Sequence, residues 1–226
     1  MVGHHRAPPP DEVTLVARAT DLAGRTLAEL AEVLETPIPP DLKRHKGWIG
    51  LVLEAALGAT ASSKAVPDFE HLGIELKTLP VDARGKPRES TFVCTAPMDG
   101  SLAATWKASR TYHKLSAVLW VPVVGDGPPG ERVVGQSILW RPSPEEEAVL
   151  RADWEELSGL LAMGEHWQVD ARRGVALQLR PKAAHSGTLT WTIGQDGDWV
   201  QAGPRGFYLR TSFTAAILAR HLRIGA

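Results

Sequence analysis

Cysteine is almost absent from this sequence of 226 residues, and it contains no long hydrophobic run. The single cysteine, Cys94, cannot form an internal disulfide, and residues 1–10 lack the charged-then-apolar pattern of a secretory leader. No apolar stretch approaches the roughly 18 to 20 residues that a membrane span needs. These absences argue against a membrane protein and a disulfide-stabilised secreted domain, and they predict a cytoplasmic location.

Nucleotide-binding, serine-hydrolase and zinc motifs are also missing. No Gly-x-x-x-x-Gly-Lys-Ser/Thr loop occurs, no nucleophile elbow surrounds a serine, and the eight histidines lack metal-ligand spacing apart from an adjacent pair at the start. What is present is ordinary for a globular protein, with 43% hydrophobic and 23% charged residues. A chain of this length buries a sizeable core without disulfides or metal.

The charges nearly cancel, with 25 Lys+Arg against 26 Asp+Glu and a net charge of −1. They are unevenly placed, because residues 145–170 carry −7 and residues 171–226 carry +6. We interpret the acidic segment as the solvated face of one helix and the basic segment as a part able to contact phosphates. Scattered surface arginines would give the same total, so charge alone leaves both interpretations open.

Periodicity and capping signals predict an α/β or α+β fold with a mixed sheet. The strand at 116–124 is apolar throughout and is expected to be central, and the strands at 73–79 and 89–97 are expected to pair across a turn at 83–87. The predicted helices are 11–22, 26–35, 47–57, 143–163 and 212–222, and the predicted strands are 73–79, 89–97, 116–124, 133–140, 175–180 and 206–210.

One group of polar residues predicts chemistry. Asp68 precedes a strand on which Glu75 and Lys77 are two residues apart and therefore share a face. Two carboxylates are ligands that Mg²⁺ prefers, and a lysine beside the attacking water stabilises developing charge. We therefore predict a metal-dependent phosphodiesterase site with Asp68 and Glu75 as metal ligands, approached by Glu54 from the preceding helix. The alternative is a solvent-exposed Glu–Lys pair on an edge strand.

The sequence resembles the MutH family of DNA mismatch-repair endonucleases over nearly its whole length. The strand that carries the phosphodiesterase pattern, Leu72-Gly73-Ile74-Glu75-Leu76-Lys77-Thr78, is one matching block. Several long blocks in fixed order are far more specific than the short catalytic pattern. The others lie at 43–50, 53–54, 68–69, 91–94, 113–115, 118–120, 153–157, 179–183, 205–209 and 219–221.

The resemblance implies a restriction-endonuclease-like fold, a mixed β-sheet flanked by helices, with two lobes forming a DNA cleft. Residues 1–226 are then a single endonuclease domain with a flexible N-terminus at 1–10 and a basic DNA-reading part at approximately 171–226. The implied activity is Mg²⁺-dependent nicking of the unmethylated strand at hemimethylated GATC sites in double-stranded DNA. The implied partners are MutL and MutS, which activate the enzyme, and the chain is expected to be a monomer.

The resemblance also assigns roles to individual residues. Glu54, Asp68, Glu75 and Lys77 match the active-site set, and Lys114 matches a basic residue that assists at the metal–phosphate centre. The DNA-binding residues implied are Lys46 in a loop that approaches DNA, Arg180 and Pro181 in the base-reading loop, and Tyr208 as a sensor of the adenine methyl group.

Other interpretations of the same residues stay open. A restriction endonuclease of the same superfamily would cut both strands of GATC without partners, and a non-catalytic DNA-binding module would keep only the fold. The residues themselves favour the simpler interpretation that Arg180 is an exposed charge at a strand end, and they leave open that Tyr208 is a core residue. The presence of all the acids and of Lys77 argues against the non-catalytic module.

Overall fold

A computed structural model describes residues 4–42, 44, 45, 47–61, 66–165, 172–182 and 187–222. The chain divides into two compact units: unit 1 comprises Met1–Glu89, Ser116–Arg141 and Ala215–Ala226, and unit 2 comprises Ser90–Leu115 and Pro142–Thr214. None of the helices in the described residues is long and apolar enough to cross a membrane.

Helices and strands alternate irregularly along the chain. The helices are α1 (Glu12–Asp21), α2 (Leu27–Val33), α3 (Trp48–Leu57), α4 (Arg110–Leu115), α5 (Pro144–Ala162) and α6 (Thr211–Leu222). The strands are β1 (Glu75–Val81), β2 (Thr91–Thr95), β3 (Val118–Val124), β4 (Val133–Val134), β5 (Ile138–Trp140), β6 (Leu177–Pro181), β7 (Thr190–Ile193), β8 (Trp199–Ala202) and β9 (Arg205–Leu209).

The helix starts follow local side-chain chemistry. The Thr26 hydroxyl accepts from the backbone N–H of Glu29, and the Glu29 carboxylate accepts from the N–H of Thr26, which completes the predicted capping box of α2. Ser143 and Glu146 form the same arrangement at the start of α5. These reciprocal bonds satisfy backbone donors that a helix start otherwise leaves unpaired.

The sheet of unit 1 is mixed. β1 runs parallel to β3, while β4 and β5 both pair with β3 in the antiparallel sense. β3 is therefore central, as predicted, and six of its seven residues are buried. The predicted strand 133–140 is interrupted at residues 135–137 and forms the two short strands β4 and β5.

The predicted pairing of the strand at 73–79 with the strand at 89–97 is wrong, because β1 pairs with β3 and β2 pairs with β9 of unit 2. The hairpin begins with Val81 opposite Pro87, but proline has no N–H with which to extend the ladder. Further along β1, the free edge is occupied, since the backbone N–H of Leu76 donates to the Asp68 carboxylate. A second strand therefore finds no open edge there.

The two faces of β1 differ in what they carry. Ile74, just before the strand, and Leu76 belong to one hydrophobic cluster together with Leu15 of α1, Leu27 of α2 and Leu53 of α3. The alternate positions, which hold Glu75 and Lys77, point to the opposite face because side chains alternate along a strand. The helical layer thus fixes β1 from one side and leaves its polar residues on the other.

Unit 2 is built on a three-stranded antiparallel sheet in the order β2-β9-β6, with a separate hairpin of β7 and β8. On one face of β9, Phe207 and Leu209 lie opposite Leu179 and Leu177 of β6, and all four are buried. Helix α4, which sequence periodicity did not predict, packs against β2, and α5 packs against β6. The β7–β8 hairpin was also not predicted.

The acidic helix α5 is solvated only in part, which corrects the interpretation of its acids as a solvated face. Asp153 is 5% exposed, and its carboxylate accepts from three backbone N–H groups, of Val175 (2.8 Å), Ala176 (2.6 Å) and Leu177 (2.7 Å). These donors lead into β6. Asp153 therefore stabilises the start of that strand instead of facing water.

Residues 4–10 run against the helices of unit 1. The N–H of His4 donates to the carbonyl of Leu34, and the N–H of Arg6 donates to that of Ala55. Gly58, which ends α3 as predicted, has a φ of 85°, and a Cβ there would collide with the carbonyl of Ala7. The flexibility proposed for residues 1–10 stays a prediction.

Candidate active site

Glu75 and Lys77 form a buried ion pair on β1. The Lys77 Nζ donates to Glu75 Oε1 at 2.7 Å, and the side chains are 14% and 4% exposed for Lys77 and Glu75 respectively. Their common face follows from the two-residue repeat of a strand. Burial makes each charge depend on its partner, because a lone buried ion is costly.

Asp68 is held beside the same stretch of backbone. It precedes a 3₁₀ turn at Glu70–Leu72, after which the chain reverses so that Phe69 pairs with Ile74. The reversal lets Asp68 Oδ2 accept from the N–H of Leu76 at 2.8 Å, between the two polar positions of β1. Asp68 is 9% exposed. The structure thus brings Asp68, Glu75 and Lys77 to one edge of the sheet, and the metal-ligand role of the two carboxylates stays a prediction.

Glu54 lies on α3, half-buried, four residues before Gly58. Helix α3 packs against β1, but the described residues contain no group of three or more His, Cys, Asp or Glu side chains placed to hold a metal ion. Glu54 therefore does not complete a three-carboxylate cluster with Asp68 and Glu75. Its catalytic role stays a prediction.

The donor set of Asp68 and Glu75 nevertheless fits Mg²⁺. This ion is hard, prefers oxygen ligands and is usually held by one or two carboxylates, with waters and substrate phosphate oxygens completing the octahedron. The buried carboxylates of Asp68, bonded to the Leu76 N–H, and of the neighbouring residue Glu75 supply that number of protein ligands. They do not resemble a closed structural site, which would need about four protein ligands.

Two further predicted site residues are Lys114 and Lys46. Lys114 is in unit 2, on α4, and is 6% exposed, so its assistance at the metal–phosphate centre stays a prediction. Lys46 falls outside the described residues.

Two of the predicted DNA-reading residues, Arg180 and Tyr208, lie on one face of the sheet of unit 2. Arg180, the exposed penultimate residue of β6, has its guanidinium carbon 5.8 Å from the centre of the Tyr208 ring, and it donates to the Ser90 hydroxyl. Pro181 ends the strand and is exposed. Tyr208 is half-buried, while its neighbour Phe207 is 1% exposed. Alternation along β9 thus leaves the phenol on the open face.

Two residues that sequence reasoning did not assign to the site join this face. The Phe92 ring packs edge-on against Tyr208 at 5.3 Å, and the Lys182 ammonium lies 4.1 Å from the centre of the Phe92 ring. A Cβ on Gly206 would lie 2.9 Å from the Phe92 ring, so glycine is needed for this packing. We call Phe92, Arg180, Lys182 and Tyr208 the reading face.

A β-bulge explains why the sequence pattern missed Phe92. Simple alternation would place Phe92 and Cys94 on the same face of β2, but the register shifts between them. Cys94 consequently lies opposite Phe207 on the buried face, whereas Phe92 lies opposite Tyr208. Lys182 was detectable from its position two residues after Arg180 in an extended segment.

Comparison with known proteins decides the family. A sequence profile described as "DNA mismatch repair enzyme MutH" matches residues 57–153. The DNA mismatch repair protein MutH of Serratia proteamaculans is 54% identical over 216 residues, 95% of each chain. That of Pectobacterium atrosepticum is 52% identical over 219 residues, which are 96% of this chain and 95% of the relative. The MutH protein of Yersinia pestis is 54% identical over 217 residues, 95% of each chain.

The chain belongs to the MutH family.

Membership of the MutH family confirms the resemblance inferred from the sequence blocks, and the sheets flanked by helices agree with its restriction-endonuclease-like fold. The chain is accordingly a DNA mismatch-repair endonuclease, a hydrolase of phosphodiester bonds. MutH membership implies dependence on a divalent metal ion and work with DNA and other repair proteins. The matched segment contains Asp68, Glu75, Lys77 and Lys114.

Proposed function

We propose that this MutH-family endonuclease nicks the unmethylated strand at hemimethylated GATC sites in duplex DNA, with Mg²⁺ as its metal and with MutL and MutS as activators. The observation that carries the proposal is the grouping of Asp68, Glu75 and Lys77 at one sheet edge, with Lys77 Nζ 2.7 Å from Glu75 Oε1. We further propose that the enzyme acts as a monomer in the cytoplasm.

In this proposal, Asp68 and Glu75 hold the metal ion. Bound Mg²⁺ polarises the scissile phosphate and lowers the pKa of a coordinated water. The hydrogen bond from the Leu76 N–H fixes the Asp68 carboxylate, so this side chain needs little rearrangement before the metal ion and the DNA bind. Lys77, already held by Glu75, orients the attacking water and donates to the phosphoryl oxygens as their negative charge grows.

The reading face supplies sequence recognition in the same proposal. A guanidinium at a strand end can bind the O6 and N7 atoms of guanine in the major groove through two hydrogen bonds. Arg180 is exposed and steadied by Ser90 and Tyr208, which reduces the entropy lost on binding. Tyr208 is in turn fixed by Phe92. A phenol held this firmly beside adenine would clash with an added methyl group, and it thereby discriminates against the methylated strand.

The second candidate is a GATC-specific restriction endonuclease that cuts both strands unaided. The described residues contain one grouping of Asp68, Glu75 and Lys77 on β1, and one catalytic centre hydrolyses one strand per binding event. A monomer with this arrangement is therefore expected to nick.

The decisive experiment is cleavage of three GATC plasmids or duplexes, unmethylated, hemimethylated and fully methylated, with Mg²⁺ and with or without MutL. We expect nicking of unmethylated strands, protection of methylated strands, and stimulation by MutL. A matched plasmid without GATC controls for random nicking. Efficient linearisation by the chain alone would favour the restriction enzyme, and equal cleavage of all three methylation states would refute methyl discrimination.

A further inference from the structure

We propose that a cavity in unit 2, beside the reading face, binds a phosphate of the DNA backbone outside the GATC tetranucleotide. This inference rests on the proposed function, because it extends the DNA contact of the same enzyme. It assigns a DNA-binding role to Arg110 and Trp191, which lie in neither the catalytic group nor the reading face.

The cavity has a volume of about 300 Å³ and is bounded by Pro204 and by three segments of unit 2. These are the stretch from Thr95 to Ser101, the first residue of α4, which is Arg110, and the β7–β8 hairpin with Trp191. The hairpin is held against the first segment, since the N–H of Ile193 donates to the carbonyl of Met98 at 3.3 Å. The walls thus belong to segments that contact each other, and the volume accommodates a phosphate group.

Two cations lie at or beside this cavity without a carboxylate partner. Arg110 and Lys182 form no ion pair with any described residue, whereas some other cations of unit 2 do. The paired cations of unit 2 include Lys107 with Glu147, Arg151 with Glu155 and Arg173 with Glu156. Unpaired cations that gather at one place create a field that attracts an anion.

Arg110 and Lys182 also affect each other. Burial of the ammonium group and repulsion by the Arg110 guanidinium lower the pKa of Lys182. A shared anionic ligand would relieve this repulsion. Lys182 donates to the Thr95 hydroxyl at 2.8 Å, and Thr95 lines the cavity. Lys182 therefore connects the reading face to the cavity that Arg110 lines.

Among the described residues that line the cavity, one carries a carboxylate, Asp99. Its carboxylate accepts from both the backbone N–H and the hydroxyl of Ser101, so two donors of the same turn already compensate part of its negative charge. An anion bound near Arg110 would still be repelled weakly by Asp99. Replacing Asp99 with asparagine removes that repulsion and should therefore strengthen DNA binding, whereas replacing Arg110 should weaken it.

Continuity with the reading face favours a DNA phosphate over a free anion. Phosphates repeat along each strand, so a protein that reads a tetranucleotide necessarily lies against the phosphates beside it. Contacts of this kind position the protein and carry no sequence information. Trp191, 56% exposed, would pack its ring against the adjacent sugar.

The test compares binding of the full chain to a GATC duplex of about 30 base pairs, by fluorescence anisotropy with chelator present and at several salt concentrations. Arg110→Ala should weaken binding about 3- to 10-fold and reduce the slope of log K against log salt by about 0.9, the value of one phosphate contact. Trp191→Ala should weaken binding about 2- to 5-fold, and Asp99→Asn should strengthen it about 2-fold.

Matched controls exist on the same segments. Lys107 is exposed, three residues from Arg110 and paired with Glu147, so Lys107→Ala should leave the salt slope unchanged. Trp199 is 57% exposed on the partner strand of Trp191 but does not line the cavity, so Trp199→Ala should leave the affinity unchanged. The preference for GATC over other sequences should persist in Arg110→Ala, because a phosphate contact is blind to sequence.

An unchanged DNA affinity and salt slope for Arg110→Ala would refute the proposed phosphate site. Losses of affinity in Lys107→Ala as large as those in Arg110→Ala would refute it too. Circular dichroism and the catalytic nicking of a saturating duplex show whether each variant is folded. Failure of the wild-type chain to cleave GATC would instead refute the proposed function, and it is visible without any of these variants. The two failures are thus separate.

Discussion

The carboxylate of Asp153 supports the strand that carries Arg180, which makes Asp153→Asn a sharp test of how unit 2 is held together. Its Oδ2 accepts from the N–H groups of Ala176 and Leu177, and its Oδ1 accepts from that of Val175. In asparagine, one oxygen becomes an NH₂ group that cannot accept. The best orientation keeps the two bonds to Ala176 and Leu177 and leaves the N–H of Val175 without this acceptor.

The cost follows from these contacts. A hydrogen bond to a charged group contributes about 1.5 to 3 kcal/mol and a neutral one about 0.5 to 1.5 kcal/mol. Losing one charged bond and weakening two others should lower the free energy of unfolding by about 4 to 5 kcal/mol. For a chain of this size, that corresponds to a fall in the melting temperature of about 8 to 20 °C.

The assay is thermal and urea unfolding followed by circular dichroism. Glu155→Gln is the matched control, because Glu155 lies on the same helix and its pair with Arg151 is exposed; its cost should stay below about 0.5 kcal/mol. A loss in Asp153→Asn no larger than that of the control would refute the argument. GATC cleavage at 25 °C should survive in Asp153→Asn if the strand stays folded, and should fail at a lower temperature than in the wild type.

Three further outcomes follow from the sites. Asp68→Asn and Lys77→Met should each reduce nicking about 100-fold or more while DNA affinity stays within about 3-fold, as measured by single-turnover cleavage and anisotropy; cleavage near the wild-type rate would remove that residue from the mechanism. Arg180→Ala should reduce discrimination for the guanine of GATC by about 1 to 3 kcal/mol in competition binding, and an equal loss on every sequence would contradict base reading. The lowered pKa of Lys182 means that free protein loses this proton below the ordinary lysine value, and a phosphate would restore it. DNA affinity should therefore be flat below the lowered pKa and fall as pH rises above it, and Lys182→Arg should remove that fall in a titration that extends up to the ordinary lysine pKa.

Local chemistry made part of this structure predictable. A capping box joins residues three apart, so Thr26 with Glu29 and Ser143 with Glu146 identify helix starts wherever the chain goes. The shared face of Glu75 and Lys77 needs only the two-residue repeat of a strand.

Strand pairing was not predictable in the same way. A turn at 83–87 indicated a hairpin, yet Asp68, a residue before the strand, occupies the edge that the hairpin would have used. The partner of β1 is instead β3, more than 40 residues away along the chain. Such pairing depends on which edges remain open after the helices pack, and residue spacing does not encode that.

The sequence by itself determined which side chains form the candidate catalytic group, because a strand places Glu75 and Lys77 on one face and a short reversal of the chain brings Asp68 beside them. Only the tertiary structure decided the composition of the reading face. Phe92, Arg180 and Tyr208 come from three strands, and a bulge in β2 turns Phe92 toward the others. The physical reason is the distance along the chain over which each effect acts. Side-chain alternation along a strand depends only on neighbouring residues. The pairing of β2 and β6 with β9 depends on backbone hydrogen bonds between segments that are far apart in the sequence.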